Sequence, residues 1–536
     1  MTKKEGFMKT KNKRFVLYPM LLIISLVVFY IYTPALNIQS QEFRFYLIIF
    51  TLAVIGIEFL MDGQYFYRKK LKYGALALPI LLVIVIAIGN LFNGVIFRST
   101  DYANLIDVEE KNFQEDFPSM DESSIPLMDK DTAQRLGDRR IGSISELVSQ
   151  FVPADTYTQI NIDNDPNRVT PLQYASFVRW LNNRSEGIPN YLKVDMVTGE
   201  VEVEDLEENI KYSDSEMLNR NVKRHLRFKY PTKLFEDPDF EVDDEGHPYY
   251  IATTYENVFW FTQLEPTGLI VLDAVTGETK EYTLETMPTW VDRVYSSDLI
   301  LQQLNYRGQY SGGFFNAYFG KRGVNRTTDG YNYIPMNDDV YLYTGVTSVN
   351  NDASNIGFYL VNMRTKAAEF YPVTSADEIS AMDSAEGALQ QMRFESTFPL
   401  LISLNDRPYY ISSLKDDSGL VRSYALVDAQ DYQKVITSDT VDGLITQLNG
   451  KTETDSDDAE EEIVEVVDEN LNEVSGQVEN ISQAVVSGNT IYYFMIDGSI
   501  YKADITLDDA LPFIEEGQVI EGEANEDNEF KMIILD

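Results

Sequence analysis

The sequence predicts an α+β protein in which a helical transmembrane anchor precedes a large β-rich region. Three observations lead to this fold class. Apolar segments cluster near the N-terminus, the rest of the chain is strongly acidic, and a hairpin pattern recurs within that acidic part. With 536 residues, the chain exceeds the usual size of a single domain, so several units are expected.

Three segments of residues 1–97 are apolar and long enough for transmembrane helices, at about 15–34, 43–60 and 74–97. Basic residues precede the first segment and fill the loop between the second and third, whereas residues 35–42 contain none. By the positive-inside rule, the N-terminus lies in the cytoplasm and everything after residue 97 lies outside. We therefore expect a protein of the cytoplasmic membrane that contacts the lipid bilayer through three helices. The alternative for the first segment is a cleaved signal peptide.

The composition excludes several classes of function. Residues 1–97 carry eleven of the 44 basic and four of the 85 acidic residues, so the remainder holds 81 acidic and 33 basic side chains. Such a field repels phosphate backbones, which argues against a nucleic-acid partner. The chain has no Cys, and its only histidines are His225 and His247. The residues that thiol catalysis needs are therefore absent, and those that zinc sites and His-based catalysis need are few. An exported domain without disulfides fits a Gram-positive cell surface.

A hairpin pattern recurs after a juxtamembrane connector at residues 98–150. Alternating strands meet the turn sequence Asp-x-x-Thr-Gly at residues 195–199 and again at 273–277. A third, degenerate copy has Asn362 at the Asp position and Lys366 at the Gly position. Pro-Tyr-Tyr-Ile precedes hairpin-like stretches at 248–251 and 408–411, and helical patterns lie between the copies. Residues 151–448 are therefore expected to be an extracytoplasmic repeat region.

The order of helix, Pro-Tyr strand and Val-Asp-x-x-Thr-Gly hairpin resembles PepSY-type modules of bacterial envelope proteins. This resemblance implies a role in inhibiting or chaperoning peptidases or in regulation at the cell surface. The chain is also similar to membrane-anchored proteins of Gram-positive bacteria, a resemblance that implies no activity.

The C-terminal part has a different character. Residues 449–473 contain closely spaced carboxylates whose mutual repulsion predicts a solvated acidic linker. Residues 474–536 follow a β-β-β-α-β-β pattern that resembles a small OB-fold barrel. Because this segment has only Lys502 and Lys531 as basic residues, we expect a structural or protein-binding barrel rather than a nucleic-acid-binding one.

Two stretches are candidate sites. Residues 306–333 interleave aromatics with glycines and cations, which is typical of a recognition loop; the alternative is an irregular connection whose rings pack into the core. The candidate recognition residues are Tyr306, Tyr310, Phe314, Phe315, Tyr318, Lys321, Arg322 and Arg326. Asp163, Asp165 and Asn167 alternate oxygen ligands that would suit Ca²⁺, although no EF-hand loop is completed. No other cofactor is predicted.

No phosphate-binding loop, dinucleotide fingerprint, zinc-protease motif or nucleophile elbow occurs in the sequence. We therefore expect a non-enzymatic surface protein that binds or regulates an envelope protein. One alternative is an envelope enzyme that acts on cell-wall polymer or peptide through carboxylates, although no spacing singles out a pair. The other is a sensor or transporter accessory subunit.

Overall fold

A computed structural model describes residues 3–61, 69–117, 125–162, 165–336, 339–349, 351–405, 407–452, 472–486, 489–496, 498–504, 517–524 and 530–535, with single positions 507, 511 and 514. The chain divides into two compact units, Met1–Glu453 and Thr454–Asp536. Most of the predicted acidic linker lies outside the described residues.

Helices begin the first unit and then alternate with its strands. They are α1 (Lys3–Tyr32), α2 (Gln41–Met61), α3 (Lys69–Asn93), α4 (Val95–Ala103), α5 (Phe113–Asp116), α6 (Lys130–Gly142), α7 (Ser145–Val148), α8 (Phe177–Asn183), α9 (Val222–Lys229), α10 (Ser297–Tyr310), α11 (Glu378–Ala388) and α12 (Val441–Thr452). Short polar side chains accept hydrogen bonds at several N-termini: Asp129 caps α6, Ser176 caps α8 and Ser296 caps α10.

The predicted three-helix anchor is wrong. Within the described residues, one helical stretch, Phe15–Tyr32 in α1, is long and apolar enough to cross a membrane by itself. The segments Pro79–Asn93 and Val95–Ala103 pass the same test only together, and they are bent by 53°. The first turn of α2 carries Arg44, which donates to the carbonyls of Ile38 and Gln39 at 3.0 and 2.7 Å. Among the residues that the structure describes, one apolar helix near the N-terminus therefore suits a membrane anchor or a signal sequence.

The strands that the structure describes form five sheets, four of them in the first unit. The first strand, β1 (Val108–Glu110), belongs to sheet III. Sheet I contains β2 (Phe151–Pro153), β3 (Thr158–Ile162), β4 (Asp165–Tyr174), β5 (Ile188–Asp195) and β6 (Val201–Ile210). Sheet II contains β7 (Leu234–Phe235), β8 (Asp239–Val242), β9 (Pro248–Val258), β10 (Gln263–Asp273) and β11 (Thr279–Thr283).

The other two sheets of the unit follow in chain order. Sheet III continues with β12 (Asn325–Thr327), β13 (Asn332–Met336), β14 (Asp339–Ser348), β15 (Asn351–Asn362), β16 (Ala368–Tyr371) and β17 (Ser375–Ala376). Sheet IV contains β18 (Glu395–Ser396), β19 (Leu400–Leu404), β20 (Arg407–Lys415), β21 (Val421–Asp428) and β22 (Val435–Ser438).

Sheets I to IV repeat one topology. In each, two short strands pair with the same long strand: β2 and β3 with β4, β7 and β8 with β9, β12 and β13 with β14, and β18 and β19 with β20. The long strand then pairs with a second one, which pairs with the last strand of the sheet, all antiparallel. Sheet III adds β17 beside β15, and β1 runs parallel to β16. The first unit is therefore a fourfold repeat of one antiparallel sheet.

The turn before the last strand begins in the same way in all four sheets. At its first position, a side-chain oxygen accepts two consecutive backbone N–H groups, with distances of 2.7 to 3.0 Å; the residues are Asp195, Asp273, Asn362 and Asp428. Gly199 and Gly277 have φ of 73° and 76°, and Lys366 takes φ of 66° at the equivalent place.

Neighbouring sheets share hydrophobic cores, which is why the prediction of separate PepSY-like helix and hairpin modules is wrong. One cluster joins sheets I and II, a second joins II and III, and a third joins III and IV. The fully buried rings Tyr250, Tyr343 and Tyr410 belong to sheets II, III and IV. Residues 98–150 also enter the packing, since Phe113 and Leu127 are part of the core between sheets III and IV.

The second unit contains sheet V: β23 (Asn472–Val486), β24 (Asn489–Ile496), β25 (Ser499–Asp504), β26 (Val519–Ala524) and β27 (Phe530–Leu535). Its strand order is β25-β24-β23-β26-β27, with every pair antiparallel. Among the described residues no ladder joins the end strands β25 and β27, but the rings of Tyr501 in β25 and Phe530 in β27 are 5.4 Å apart. The OB-like barrel stays a prediction. Phe494 and Phe530 lie in its own small core.

Candidate functional site

A cavity of about 450 Å³ lies where elements of all four sheets meet. Its wall includes residues from β3 and β4, from β8, from the start of α10 and β13, and from the chain before β19. The lining side chains that carry charge or a phenol group are Asp129, Lys130, Asp131, Tyr157, Arg168, Asp239, Arg293, Tyr331 and Tyr333. Volumes of about 300–1,000 Å³ are typical of sites for small ligands.

The segment before α6 brings sheet IV next to sheet I at this cavity. Ser413 Oγ donates to the carbonyl of Leu127 at 2.7 Å, and Lys415 Nζ lies 2.6 Å from Asp129 Oδ2. The N–H of Met128 donates to the carbonyl of Met196 in the sheet I turn at 3.0 Å. Residues 127–129 therefore connect the fourth repeat to the first.

Arg168 is held in the cavity wall by β4, opposite Gln159 of β3. It is 7 % exposed, and its Nη2 and Nη1 donate to Gln159 Oε1 at 3.2 Å and to the carbonyl of Tyr157 at 3.4 Å. Within the described ranges, its Nε–H meets no acceptor. Burial and the nearby guanidinium of Arg293 lower the pKa of Arg168 to about 10, so it remains a cation at neutral pH.

Arg293 reaches the same cavity from the irregular segment between β11 and α10. The N–H groups of Val294 and Tyr295 both donate to the carbonyl of Met363, at 3.1 and 3.0 Å, which fixes this segment on sheet III. Arg293 Nη2 donates to the hydroxyl of Tyr333 at 3.2 Å, whereas its buried Nε–H has no acceptor in the described part of the chain. Burial lowers the pKa of Arg293, but Tyr333 and the nearby carboxylates outweigh burial, so the pKa is raised.

The charge of Arg293 also interacts with Glu241 of β8, which is fully buried. Neither of its carboxylate oxygens has a well-formed hydrogen bond to a described residue. Burial, together with the charges of Asp292 and Asp239, raises the pKa of Glu241 well above its usual range. Asp292 Oδ2 accepts from the N–H of Asn161 at 2.6 Å, which ties this polar layer to β3.

The arrangement is suited to holding an anion. Two guanidinium groups share one cavity, and each retains N–H donors that protein acceptors among the described residues do not use. A buried donor without an acceptor costs about 1–3 kcal/mol, and a carboxylate or phosphate oxygen would satisfy it. The phenol groups of Tyr331 and Tyr333, with ring centroids 5.5 Å apart, add polar edges to the same wall.

A second depression of about 770 Å³ lies beside β16 and β20. Its charged lining residues, Glu110, Lys111 and Arg407, are not buried, so their charges are well solvated. Although this depression is larger, the smaller cavity is the stronger candidate because it contains the enclosed cations.

The structure places the candidate recognition residues in three different elements. Tyr306 and Tyr310 belong to α10, where Tyr310 is buried; Arg326 lies in β12. Phe314, Phe315, Tyr318, Lys321 and Arg322 follow α10 around a short π-helical turn, Asn316–Gly320, and Phe315 and Tyr318 are exposed. The stretch is therefore partly core and partly surface, and none of the eight residues lines the cavity.

Of the candidate calcium ligands, Asp163 lies outside the described residues. Asp165 is exposed at the start of β4, and Asn167 is buried, with its Nδ2 donating to the carbonyl of Asp165 at 2.9 Å. In the part of the chain that the structure describes, no group of three or more His, Asp or Glu side chains is arranged to hold a metal ion. The calcium site stays a prediction.

Sequence reasoning missed Arg168 and Arg293. Neither stands in a recognisable motif, and they are 125 positions apart in the printed sequence. The one local signal was that Asp239 begins β8 and that Tyr331 and Tyr333 flank Asn332, the first residue of β13, and such positions are common to many antiparallel sheets.

No protein-family model matches the chain, and no curated protein matches it significantly. Similar solved structures include a cobalt-substituted Synechocystis apocarotenoid oxygenase, 8% identical over 53% of this chain with a TM-score of 0.12. An exo-β-1,3-galactanase from Clostridium thermocellum is 10% identical over 71% of this chain and 66% of its own, with a TM-score of 0.16. A mutant Trypanosoma rangeli sialidase is 10% identical over 66% of this chain and 53% of its own, also with a TM-score of 0.16.

The chain spans about half the length of the apocarotenoid oxygenase, 51% of that chain. TM-scores this low support no argument about activity.

Proposed function

We propose that this chain is a non-enzymatic, membrane-attached binding protein whose four-sheet unit takes an anionic group of an envelope partner into the cavity between its sheets. Attachment is through α1. The N-terminus is in the cytoplasm, and the four-sheet unit is on the outer face of the membrane of a Gram-positive cell.

The orientation is supported by charge. Six basic residues lie between positions 3 and 14, immediately before the apolar stretch Phe15–Tyr32, and the positive-inside rule keeps such a segment in the cytoplasm. The 81 acidic residues after position 97 would then lie outside, and the absence of Cys suits a surface domain without disulfides.

The observation that carries the binding proposal is the pair of cavity-lining guanidinium groups, Arg168 and Arg293, each with an Nε–H that has no described acceptor. Cations in a low-dielectric wall bind anions more strongly than surface cations because water screens them less. Arg also presents a planar set of donors that fits a carboxylate or phosphate with two bonds. The cavity volume of about 450 Å³ accommodates a group the size of an acidic side chain or a chain terminus.

One acidic residue of the wall, Asp129, is held in a way that does not suit a general acid. Asp129 is held by Lys415 and by the N–H of Thr132; although burial opposes it, these hydrogen bonds lower the pKa of Asp129. A carboxylate held in this way has no proton to donate at neutral pH. The histidines lie elsewhere: His225 Nε2 is 3.0 Å from the carbonyl of Gly277, and His247 Nε2 is 3.3 Å from Asp273.

The test measures thermal stabilisation of the detergent-solubilised full-length protein by citrate, inorganic phosphate and uncharged glycerol. We expect the anions to raise the unfolding temperature, since a ligand at about 100 times its dissociation constant stabilises by about 2.7 kcal/mol. Arg293→Met should abolish the shift, and Arg422→Met, which changes an exposed arginine at the start of β21, should preserve it.

Citrate and phosphate distinguish a carboxylate site from a phosphate site. An equal shift of the unfolding temperature in wild type and Arg293→Met would show that the anion does not bind in this cavity. The partner is then sought by capture from solubilised membranes: it should be retained by wild type, lost with Arg293→Met, and competed by the active anion. Hydrolysis of a captured partner, lost on Asp239→Asn, would replace the binding role with an enzymatic one.

A further inference from the structure

The end of α1 is fixed on the four-sheet unit next to a basic helix. Arg224 Nε of α9 donates to the carbonyl of Tyr30 at 3.2 Å, and Arg227 Nε donates to the carbonyl of Thr33 at 3.0 Å. The N–H of Leu36 donates to the carbonyl of Pro231 at 2.6 Å. If α1 crosses a bilayer, α9 therefore lies at the level of the lipid headgroups.

The composition of α9 is unusual in so acidic a chain. Its eight residues include Lys223, Arg224, Arg227 and Lys229, with no acidic residue. Lys223 pairs with Asp237, whereas Lys229 is exposed. Phe228 is 52% exposed beside the ring of Tyr30, at a centroid distance of 6.0 Å. Cations flanking an exposed ring are typical of a surface that meets a membrane interface.

The tip of the β9–β10 hairpin continues this face. Asn257 Nδ2 donates to the carbonyl of Gln39 at 3.3 Å, so the tip lies beside the chain that follows α1. The guanidinium of Arg44 lies 4.6 Å from the ring centroid of Phe261. Trp260 is 44% exposed, and its indole packs directly on Gly89 of α3, where an added Cβ would clash with Nε1.

The exposed part of the aromatic stretch after α10 belongs to the same face. Tyr102 of α4 donates to Thr262 Oγ1 at 2.6 Å and makes an edge contact with Tyr306 at 5.0 Å, which joins the hairpin tip to α10. Beyond α10, Phe315 and Phe319 are 76% and 81% exposed, with ring centroids 6.4 Å apart. Lys321 and Arg322 follow at once.

We infer that α9, the β9–β10 tip and residues 314–322 form a lipid-facing collar that binds the headgroups of an anionic bilayer around α1. The exposed rings enter the interface, where aromatic side chains are favoured, and the neighbouring cations meet lipid phosphates. This assigns the exposed aromatics to a membrane surface rather than to a protein partner. The inference rests on the membrane attachment in the proposed function and is independent of the cavity.

The test uses single cysteines, which is straightforward because the chain has none. Full-length Phe319→Cys, Phe228→Cys, Leu26→Cys and Ile379→Cys are spin-labelled and reconstituted into vesicles of phosphatidylcholine with phosphatidylglycerol. All four native side chains are more than half exposed, so the labels should not disturb folding. Ile379 lies on α11, which packs against sheet IV and serves as the aqueous control.

We expect labels at Leu26, Phe319 and Phe228 to collide with oxygen and to be protected from a water-soluble nickel chelate, whereas Ile379 should be exposed to the chelate. If Leu26 is protected and the other two are open to the chelate, the collar is overturned and the attachment stands. If Leu26 is also open to the chelate, attachment and collar both fail.

Charge recognition is tested on the Phe319 label. Lys321→Glu with Arg322→Glu should lose the protection in phosphatidylglycerol vesicles, while Lys434→Glu, at an exposed lysine of the sheet IV turn, should retain it. Loss of protection by both variants, or by neither, would overturn recognition of anionic headgroups.

Discussion

Arg293 and Tyr333 make two contacts in the wall of the central cavity. Arg293 Nη2 donates to the phenol oxygen of Tyr333 at 3.2 Å, and the guanidinium lies 5.0 Å from the centroid of the same ring. One residue comes from an irregular segment and the other from β13, so the contact fixes both on the cavity. A charged donor in a partly enclosed site makes this hydrogen bond stronger than a neutral one.

We predict that Tyr333→Phe destabilises the four-sheet unit by about 1–2 kcal/mol when Arg293 is present, because a hydrogen bond to a charged group is lost. In an Arg293→Met background the same change should have little effect. Chemical denaturation of the four proteins of this cycle gives the coupling energy. Tyr331→Phe is the matched control, since Tyr331 bonds to Ser297 at 3.1 Å. A coupling energy near zero would show that the contact contributes no stability.

Glu241 should make stability fall as pH rises. Its pKa in the folded protein is raised by burial and by Asp292 and Asp239, so the folded state holds a proton that the unfolded state releases. Stability is therefore greatest below the unfolded pKa of about 4.3 and declines as pH rises through the folded pKa. We predict that Glu241→Gln stabilises the protein at pH 8, by about 1.4 kcal/mol for each unit between the two pKa values. The gain should shrink toward pH 4.5.

The control for Glu241 is Glu378, which is also buried with a raised pKa that burial causes. Its Oε1 accepts from Tyr343 at 3.0 Å, and its Oε2 accepts from Asn355 at 3.1 Å. Glu378→Gln replaces one acceptor oxygen with a donor, so it should destabilise. Thermal unfolding of both variants between pH 4.5 and 8 checks the contrast; a stabilising Glu378→Gln would contradict it.

The ion pair between Asp129 and Lys415 should have the opposite pH dependence. Hydrogen bonds from Lys415 and Thr132 lower the pKa of Asp129 against the effect of burial. The stabilisation is present above the unfolded pKa of about 3.9 and is lost as pH falls through the folded pKa. Asp129→Asn should therefore cost stability at pH 7 and cost progressively less below pH 4.

Asp129 also caps α6 through the N–H of Thr132 at 3.0 Å. Asp129→Asn keeps an acceptor for that bond, whereas Asp129→Ala removes it, so the alanine variant should be less stable by about 1 kcal/mol more. Urea denaturation at pH 7 measures this difference. Equal costs for the two variants would mean that the cap contributes nothing.

The sequence predicted the features that depend on neighbouring residues. The turns at Asp195, Asp273 and Asn362 were found because a side-chain acceptor and a positive φ four residues later are local requirements. The pairing of sheets through shared cores was not found, because an alternating strand looks the same whichever sheet covers it. The helix and hairpin order therefore suggested separate modules.

The cavity could not be predicted from the sequence for the same reason. Arg168 and Arg293 come together only because β4 and the segment before α10 are brought side by side by long-range packing. Hydropathy identified the apolar segments correctly as helices, but within the described residues only Phe15–Tyr32 is long and apolar enough to span a membrane alone, and the third segment is bent by 53° after α3.

The repeated turn supports a final prediction. Asp195 Oδ1 accepts from the N–H groups of Val197 and Thr198 at 2.7 and 2.8 Å, and Asn362 accepts the same two bonds in sheet III. Because an amide oxygen performs this role in the third repeat, Asp195→Asn should change stability by less than about 0.5 kcal/mol. Asp195→Ala leaves two backbone donors without their acceptor and should cost about 1–2 kcal/mol.

The same pair of substitutions at Asp273 separates the turn from its surroundings. Burial raises the pKa of Asp273, but hydrogen bonds from the turn and from His247 outweigh burial and lower it. The carboxylate therefore binds His247 as well as the backbone of the turn. Asp273→Asn should therefore cost more than Asp195→Asn, and the excess should disappear in a His247→Ala background. Chemical denaturation at pH 7 measures all the variants. If Asn were as costly as Ala at position 195, the negative charge rather than the acceptor geometry would hold the turn, and Asn362 could not be its equivalent.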